Sequence, residues 1–390
     1  MRMPIPLSAP DITEAEIEAV TAVLRTPRLS LGPELEAFER TVAEYHSVDY
    51  VVAVSSGTAG LHLALLVLGV GEGDEVIIPS FTFVAVANAV LQVRATPVFA
   101  EIDPVTLNLD PDGVERAISP RTRAILVVHT FGVPAEIDAL QKIARRHGLA
   151  LIEDACEAVG ARFGDLPTTR RAGSFGDLAV LGFYPNKQLT TGEGGAVLCR
   201  DAAYARRLRS LRNQGRNSEK NSPTGTGEGG LQVSGWLDHA EFGYNYRLSE
   251  MASALGRVQL SRLDEMLALR EAAARRYDEL LAEIPGLEQP PLELPRRVIS
   301  WFVYAVRLPE HVDRDRVQSR LADRGIATGR YFPPIHLQPA WRAHASAAVP
   351  LPITEAIARR MLAIPFFNRI QASQQQEVAE ALGEAIGTEG

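Results

Sequence analysis

Cysteine and lysine are the scarce residues of this 390-residue chain. Only Cys156 and Cys199 are present, both in apolar, strand-like contexts. That excludes a disulfide framework and predicts two reduced, buried thiols. Of the 40 basic side chains only Lys142, Lys187 and Lys220 are lysines and the other 37 are arginines, so chemistry that needs an amine has three candidates. Long apolar runs are missing too, which leaves no candidate membrane span. Positive charge is nowhere clustered and the formal charge is −8, a balance that argues against a nucleic-acid partner. The eight histidines show neither HExxH nor a cysteine pairing, so no metal site is expected. No GxSxG marks a serine hydrolase. The GVGEG of 69–73 leads into a strand, whereas a dinucleotide loop must lead into a helix. The opening MRMPIPLSAPDITEAE has prolines and acids where an export signal needs a charged head and an apolar run, so a cytoplasmic location is expected.

What is present is a chain longer than one core usually serves, which predicts two domains, drawn here at 1–248 and 249–390. Seven apolar runs, VVAVSS (from 51), EVIIPS (75), TPVFA (96), AILVVH (124), LALIED (149), LAVLGF (178) and GAVLC (195), mostly lack polar alternation. Strands buried on both faces of a helix-covered sheet look like this. Helical spacing over 58–68, 82–91 and 136–146 separates them, so the larger domain is expected to be α/β with a mostly parallel seven-stranded sheet between helices. Residues 213–235, rich in Asn, Ser, Thr and Gly, read as a loop of unusual length, either mobile or a flap. A long helix is expected over 249–281. The remainder reads as a smaller α+β C-terminal domain: a strand at WFVYAVRL (from 301), a helix near 314–324, the Pro-rich loop YFPPIHLQP (from 331) and a closing helix near 373–386.

Four features carry chemistry. Lys187 sits in FYPNKQLTTGEGG (183–195), a loop wedged between two apolar strands, where an amine shielded from water suits attack on a carbonyl. The glycines are weak evidence alone, because TGEGG recurs at 226–230 with no lysine ahead of it. Asp154 ends the run LALIED; a carboxylate there either meets a cationic partner or caps the following turn. In VSSGTAGLHLAL (54–65) a strand ends and small residues open a helix, whose first N–H groups suit a phosphate as well as ordinary capping. Phe83, in PSFTFVAVANAV (79–90), follows another strand end, where its ring could stack on a planar heterocycle or pack in the core. An amine, a carboxylate, a phosphate cradle and a stacking ring on one sheet are what pyridoxal phosphate requires, and their conjunction weighs more than any member.

These segments, with LGPELEAFE (31–39), IEDACEAVGA (152–161), GYNYRLSEMASALG (243–256) and YFPPIHLQPAW (331–341), resemble the DegT/DnrJ/EryC1/StrS family of pyridoxal-phosphate-dependent sugar aminotransferases over nearly the whole chain. The resemblance implies the aspartate-aminotransferase fold (fold type I). It implies Lys187 as the Schiff-base lysine, Asp154 as partner of the pyridine nitrogen, Phe83 over the ring, Gly57 and Thr58 at the phosphate, and Glu157, where the family often has Gln, near the phenolic oxygen. Asn245, with Arg247, would reach into the site of a neighbouring subunit, implying a homodimer. Two positions depart from the pattern: Gly182 stands where a phosphate-binding serine is common, and Val159 where histidine is common. The implied reaction moves an amino group from L-glutamate or L-glutamine to a keto-sugar, a nucleotide-linked keto-deoxysugar in particular. An inosose or another ketone or aldehyde is the alternative acceptor. The family's dehydratases carry histidine in place of the lysine, which Lys187 argues against, and a non-catalytic regulatory role is the remaining alternative.

Overall fold

A computed structural model describes residues 4–165, 167–216, 223–226, 232–234, 239–341, 344 and 349–387. The seven apolar runs make one sheet: β1 (Tyr50–Val54), β2 (Glu75–Pro79), β3 (Thr96–Ala100), β4 (Thr122–Val128), β5 (Ala150–Asp154), β6 (Leu178–Gly182) and β7 (Gly195–Cys199). Their order is β1-β7-β6-β5-β4-β2-β3. The ladder from β3 through β2, β4 and β5 to β6 is parallel, and β7 runs antiparallel to both β6 and β1.

The absence of polar alternation has a direct cause. The pleat sends successive residues to opposite faces, and here both faces are covered. Val52, Val54, Val76, Ile78, Leu126 and Val180 pack beneath Leu61, Leu65, Val86, Val90 and Leu208 of three helices, Gly57–Val67, Ala85–Gln92 and Ala202–Leu211. On the other face Val51, Ala53, Ala196 and Leu198 meet Leu35, Phe38 and Val42 of the helix Pro33–His46. Ile77, Ile125, Val127 and Leu151 meet Leu140 and Ala144 of the helix Ile137–His147. Each such side chain contributes about 1.5–3 kcal/mol by leaving water, so a polar residue on either face would be penalised.

A separate core gathers Tyr277, Trp301, Tyr304, Val306, Leu362, Ile364, Phe366, Val378 and Leu382. It lies among the helices Leu263–Leu281, Arg314–Asp323 and Ala372–Gly387 and the antiparallel pair Tyr304–Arg307 and Met361–Ile364. The single helix expected over 249–281 is two, Glu250–Ser261 and Leu263–Leu281. At the break, Arg262 (φ −107°) pairs with Glu16 at 2.7 Å and Asp11 at 3.4 Å, so an anchor from the chain's beginning fixes where the helix divides. The strand expected from Trp301 starts only at Tyr304. Within the long loop of 213–235, Pro223–Thr226 and Gln232–Ser234 pair as a short antiparallel ladder; most of its other residues lie outside the described ones. Among the described residues no helix is long and apolar enough to cross a membrane.

Candidate active site

Parallel strands bring their carboxyl ends to one edge of the sheet, the edge at which open α/β sheets take ligands. A cleft of about 530 Å³ opens there. Its wall includes Gly57, Thr58, Phe83, Asp154, Glu157, Gly182 and Lys187, seven positions singled out from the sequence and drawn from the ends of different strands.

The end of β5 carries adjacent carboxylates with opposite surroundings, because alternate strand residues face opposite ways. Glu153 is fully buried away from the cleft. It accepts the N–H groups of Gly173 (2.8 Å), Phe175 (2.6 Å) and Gly176 (2.6 Å). Ala135 N–H donates to His129 Nδ1 at 3.0 Å, so the ring hydrogen sits on Nε2 and is donated to Glu153 at 2.9 Å. Burial opposes ionisation, but His129 and the backbone donors hold the Glu153 carboxyl below the usual range. Glu153 is thus an anchor that fixes the strand end, and Asp154 is the carboxylate left to the cleft. Asp154 Oδ1 accepts the Cys156 N–H at 3.0 Å, so the turn-capping role open from the sequence is real and coexists with its place in the cleft.

Lys187 follows a turn closed by its own N–H donating to the Tyr184 carbonyl at 2.9 Å. Its side chain is 14 % exposed, with Nζ 3.5 Å from Glu157 Oε1 and 4.0 Å from the centre of the Phe302 ring, a cation held over an aromatic face. Glu157 Oε2 accepts the Phe131 N–H at 3.0 Å. Burial pushes the Glu157 carboxyl up, against the downward pull of Lys187 and that N–H.

At the start of the helix Gly57–Val67, Ser56 Oγ accepts the Ala59 N–H at 3.0 Å, an ordinary N-cap. The N–H groups of Gly57 and Thr58 keep no protein partner among the described residues, which is the arrangement an anion needs. The floor is close-packed glycine: a Cβ on Gly57 would lie 2.9 Å from Cys156 Sγ, one on Gly182 3.0 Å from the same atom, and one on Gly195 2.7 Å from Gly57 N. Phe83 is 60 % exposed, so it is a wall of the cleft and not core.

One expectation changes. Cys156 is not in a strand; it lies in the turn after β5 and lines the cleft, half-buried, and burial, with Asp154 beside it, pushes its thiol well above the ordinary value. Cys199 is a buried strand residue as expected. Val159 is buried among Ala155, Ala158 and Leu181 on the far side of the turn, so the missing histidine is replaced by core packing. Asn245 and Arg247 stand apart from this chain's cleft: backbone bridges tie Asn245 to Asn213 and Arg247 to Val54, and Arg247 Nη1 donates to Asn213 Oδ1 at 2.9 Å.

Cleft residues that sequence reasoning missed are Cys156, Tyr184, Asn186, Glu193, Phe302, Tyr331 and Phe332. Burial raises the Tyr331 hydroxyl above the ordinary range, with Asn186 beside it pulling the other way. The signal for Tyr331 and Phe332 was the Pro-rich YFPPIHLQP, read as a loop and as part of the family resemblance but given no site role; for Phe302 there was none.

These residues fit pyridoxal phosphate on their own terms: unpartnered helix N–H groups, an exposed ring, a carboxylate at a strand end, a shielded amine, and a buried Asn186 Oδ1 with no partner among the described residues. The model of the DegT/DnrJ/EryC1/StrS aminotransferase family matches residues 10–383. A dTDP-3-amino-3,4,6-trideoxy-alpha-D-glucose transaminase of Streptomyces venezuelae is 40% identical over 94% of this chain and 90% of its own length. The GDP-perosamine synthase of Caulobacter vibrioides is 36% identical over 98% of both. Among solved structures, S. venezuelae DesV in complex with a ketimine intermediate superposes with a TM-score of 0.86, at 39% identity and 98% coverage of both chains.

Proposed function

Since the chain belongs to the DegT/DnrJ/EryC1/StrS aminotransferase family, we propose that it transfers an amino group from L-glutamate or L-glutamine to the ketone of a nucleotide-linked deoxysugar. Its cofactor is pyridoxal 5'-phosphate. The observation that carries this reading is the gathering of Lys187, Asp154, Phe83 and the Gly57–Thr58 turn in one cleft. The relatives named for dTDP- and GDP-linked products support a sugar nucleotide as acceptor and leave the base open.

Bound there, the cofactor supplies the electron sink that stabilises a carbanion on the donor. The chain does the rest. The Gly57 and Thr58 N–H groups would hold the phosphate at the positive end of their helix, Phe83 would cover the ring, and Asp154 would partner the pyridine nitrogen and keep its proton in place. Lys187 Nζ carries the cofactor between turnovers and, when freed, takes the α-proton of the donor. Glu157 stands at the phenolic oxygen. In the same reading residues 1–248 form the cofactor domain and 249–390 the smaller one; two separate cores support the division in the main, with Ile5 crossing into the second and Ile335, Trp341 and Leu351 into the first. Two copies form a homodimer in the cytoplasm, with Asn245 and Arg247 of one reaching the cleft of the other.

The test is the visible spectrum of the purified protein with pyridoxal phosphate. A band near ~420 nm that moves to ~330 nm on adding L-glutamate supports cofactor and donor together. A band that glutamate leaves unchanged sinks the donor, and a Lys187→Ala protein that still turns over sinks the role given to Lys187.

A further inference from the structure

Arg270, on the helix Leu263–Leu281, has no part in the chemistry above, yet it is 1 % exposed. No carboxylate lies within ion-pair distance of it among the described residues; burial pulls its guanidinium down to about 10, with Asp11 acting in the opposite direction from farther off. It therefore stays charged at neutral pH. A buried cation with no anion against it is costly to fold, and its Nε has no hydrogen-bond partner among the described residues.

Apart from the Phe366 ring, whose centre lies 5.6 Å from the guanidinium carbon, what the guanidinium touches is main chain. Nη1 donates to the carbonyls of Trp301 at 3.2 Å and Phe302 at 3.0 Å, and Nη2 to the carbonyl of Lys187 at 3.4 Å. None of the three residues is in a helix or strand, so these carbonyls have no ladder to satisfy them and each needs a donor from elsewhere. Phe302 is also the residue whose ring lies 4.0 Å from Lys187 Nζ. One planar group thus grips the backbone of the reactive lysine and the residue on whose ring its ammonium rests. Gln188 runs a second tie along the same line, its Nε2 donating to Glu157 O at 2.6 Å and Ser300 O at 2.9 Å. The lysine loop is lashed at consecutive residues to the segment 300–302, and Arg270 is the charged half of that lashing.

Resting on the cofactor reading proposed above, we infer that Arg270 is the positioning residue for Lys187, setting the place of its amine by holding the Lys187 and Phe302 carbonyls together from behind the cleft. Arginine suits this task because its planar fork spreads five N–H donors over separate acceptors; lysine concentrates three donors at one point and methionine has none.

The experiment compares wild type, Arg270→Lys and Arg270→Met, with Tyr277→Phe as control. Tyr277 is buried on the same helix, and its hydroxyl donates to the Pro365 carbonyl at 2.8 Å, remote from the lysine loop. Two quantities are read on each protein: its melting temperature without cofactor, and the affinity and rate with which it captures pyridoxal phosphate, followed by the visible band. Loss of a charge-assisted hydrogen bond to the lysine loop should weaken capture by Arg270→Met about tenfold or more, with Arg270→Lys between it and wild type. Tyr277→Phe should lower the melting temperature and capture cofactor as wild type does. If Arg270→Met captures cofactor like wild type, or if capture simply follows melting temperature across all four proteins, the inference is overturned while the cofactor reading stands. If wild type itself develops no band, both fall.

Discussion

Gly182 and Cys156 make a quantitative prediction because they share one small volume. A Cβ at 182 would sit 3.0 Å from Cys156 Sγ and 3.1 Å from its Cβ, inside the 3.5–4.0 Å or so at which carbon contacts are comfortable. The sulfur already occupies the space beside the helix start, where a Cβ on Gly57 would lie 2.9 Å from it. Gly182→Ser, which installs the side chain common at this position in the family, should therefore cost about 1–3 kcal/mol as an overpacked site. Cys156→Ala alone removes one half-buried sulfur and should cost about 1 kcal/mol. In the double variant the sulfur contact is gone and only the 3.1 Å contact remains, so the two costs should not add. A coupling of about 1–2 kcal/mol in favour of the double variant is expected. The assay is denaturant unfolding of the four cofactor-free proteins, with the slope checked for constancy, and pyridoxal-phosphate affinity as a second readout. In the double variant the new hydroxyl can serve the phosphate, so it should bind more tightly than Cys156→Ala alone. Costs that add to within about 0.5 kcal/mol would refute the shared-volume argument.

Glu250 accepts the N–H groups of Gly32 (2.9 Å), Glu34 (2.9 Å) and Leu35 (3.1 Å) at the start of the helix Pro33–His46. Glu250→Gln replaces one acceptor oxygen with a donor and should cost about 1–3 kcal/mol in denaturant unfolding; an unchanged midpoint would contradict it. Acid sensitivity should trace partly to Glu16 and His46. Burial works against the Glu16 carboxyl, but bonds from Thr13, Gln259 and Arg262 outweigh it and hold it at about 2 against an ordinary 4.5. A depressed carboxyl stabilises above its unfolded value and loses that contribution as pH falls, so Glu16→Gln should flatten the fall in stability between pH 4.5 and 2. Burial, and then Arg171, bring His46 down to about 4 from 6.5; it folds neutral, and stability should begin to fall below pH 6.5. A stability curve flat from pH 7 to 4 would contradict that assignment. Shared sites predict complementation: a Lys187→Ala chain and an Asn245→Ala/Arg247→Ala chain, each inactive alone, should regain about a quarter of wild-type turnover when mixed and reassembled, because half the dimers then hold one intact cleft. No recovery, with mixed dimers demonstrated, rules out sharing in that form.

The sheet and Lys187 were legible for physical reasons. Strands covered on both faces cannot carry alternating polar residues, and Val76, Ile77 and Ile78 go to alternate faces without a polar residue among them. Lys187 stood out because amines are so few. Local periodicity fails where a distant residue decides the outcome. The apolar spacing of Leu260, Leu263 and Met266, all buried, runs straight through Arg262, and only the carboxylates of Asp11 and Glu16 show why the helix divides there. WFVYAVRL has strand composition from its first residue, yet Trp301 and Phe302 are spent on Arg270 and the lysine loop before pairing begins at Tyr304.

Cys156 shows what a closer local reading could have recovered. In the turn after β5, Ala155, Ala158, Val159 and Ala161 all pack into one core, while Asp154, Cys156 and Glu157 line the cleft. The apolar members of the turn thus mark its inward side, and Asp154, Cys156 and Glu157 are left to line the cleft, whereas Glu153, one residue earlier on the strand, is buried away from it. Read one position at a time, Gly182 lacks an expected hydroxyl and Cys156 is an incidental thiol. Read as a pair they share one small volume, because the sulfur lies only 3.0 Å from where the Cβ of a serine at 182 would stand. In the function proposed, phosphate binding rests on the backbone N–H groups of Gly57 and Thr58 and not on a hydroxyl from β6, so Gly57→Pro, which deletes one of those donors, should weaken cofactor capture more than Ser56→Ala does, both made in a Cys156→Ala background that removes the sulfur a Cβ at 57 would meet at 2.9 Å.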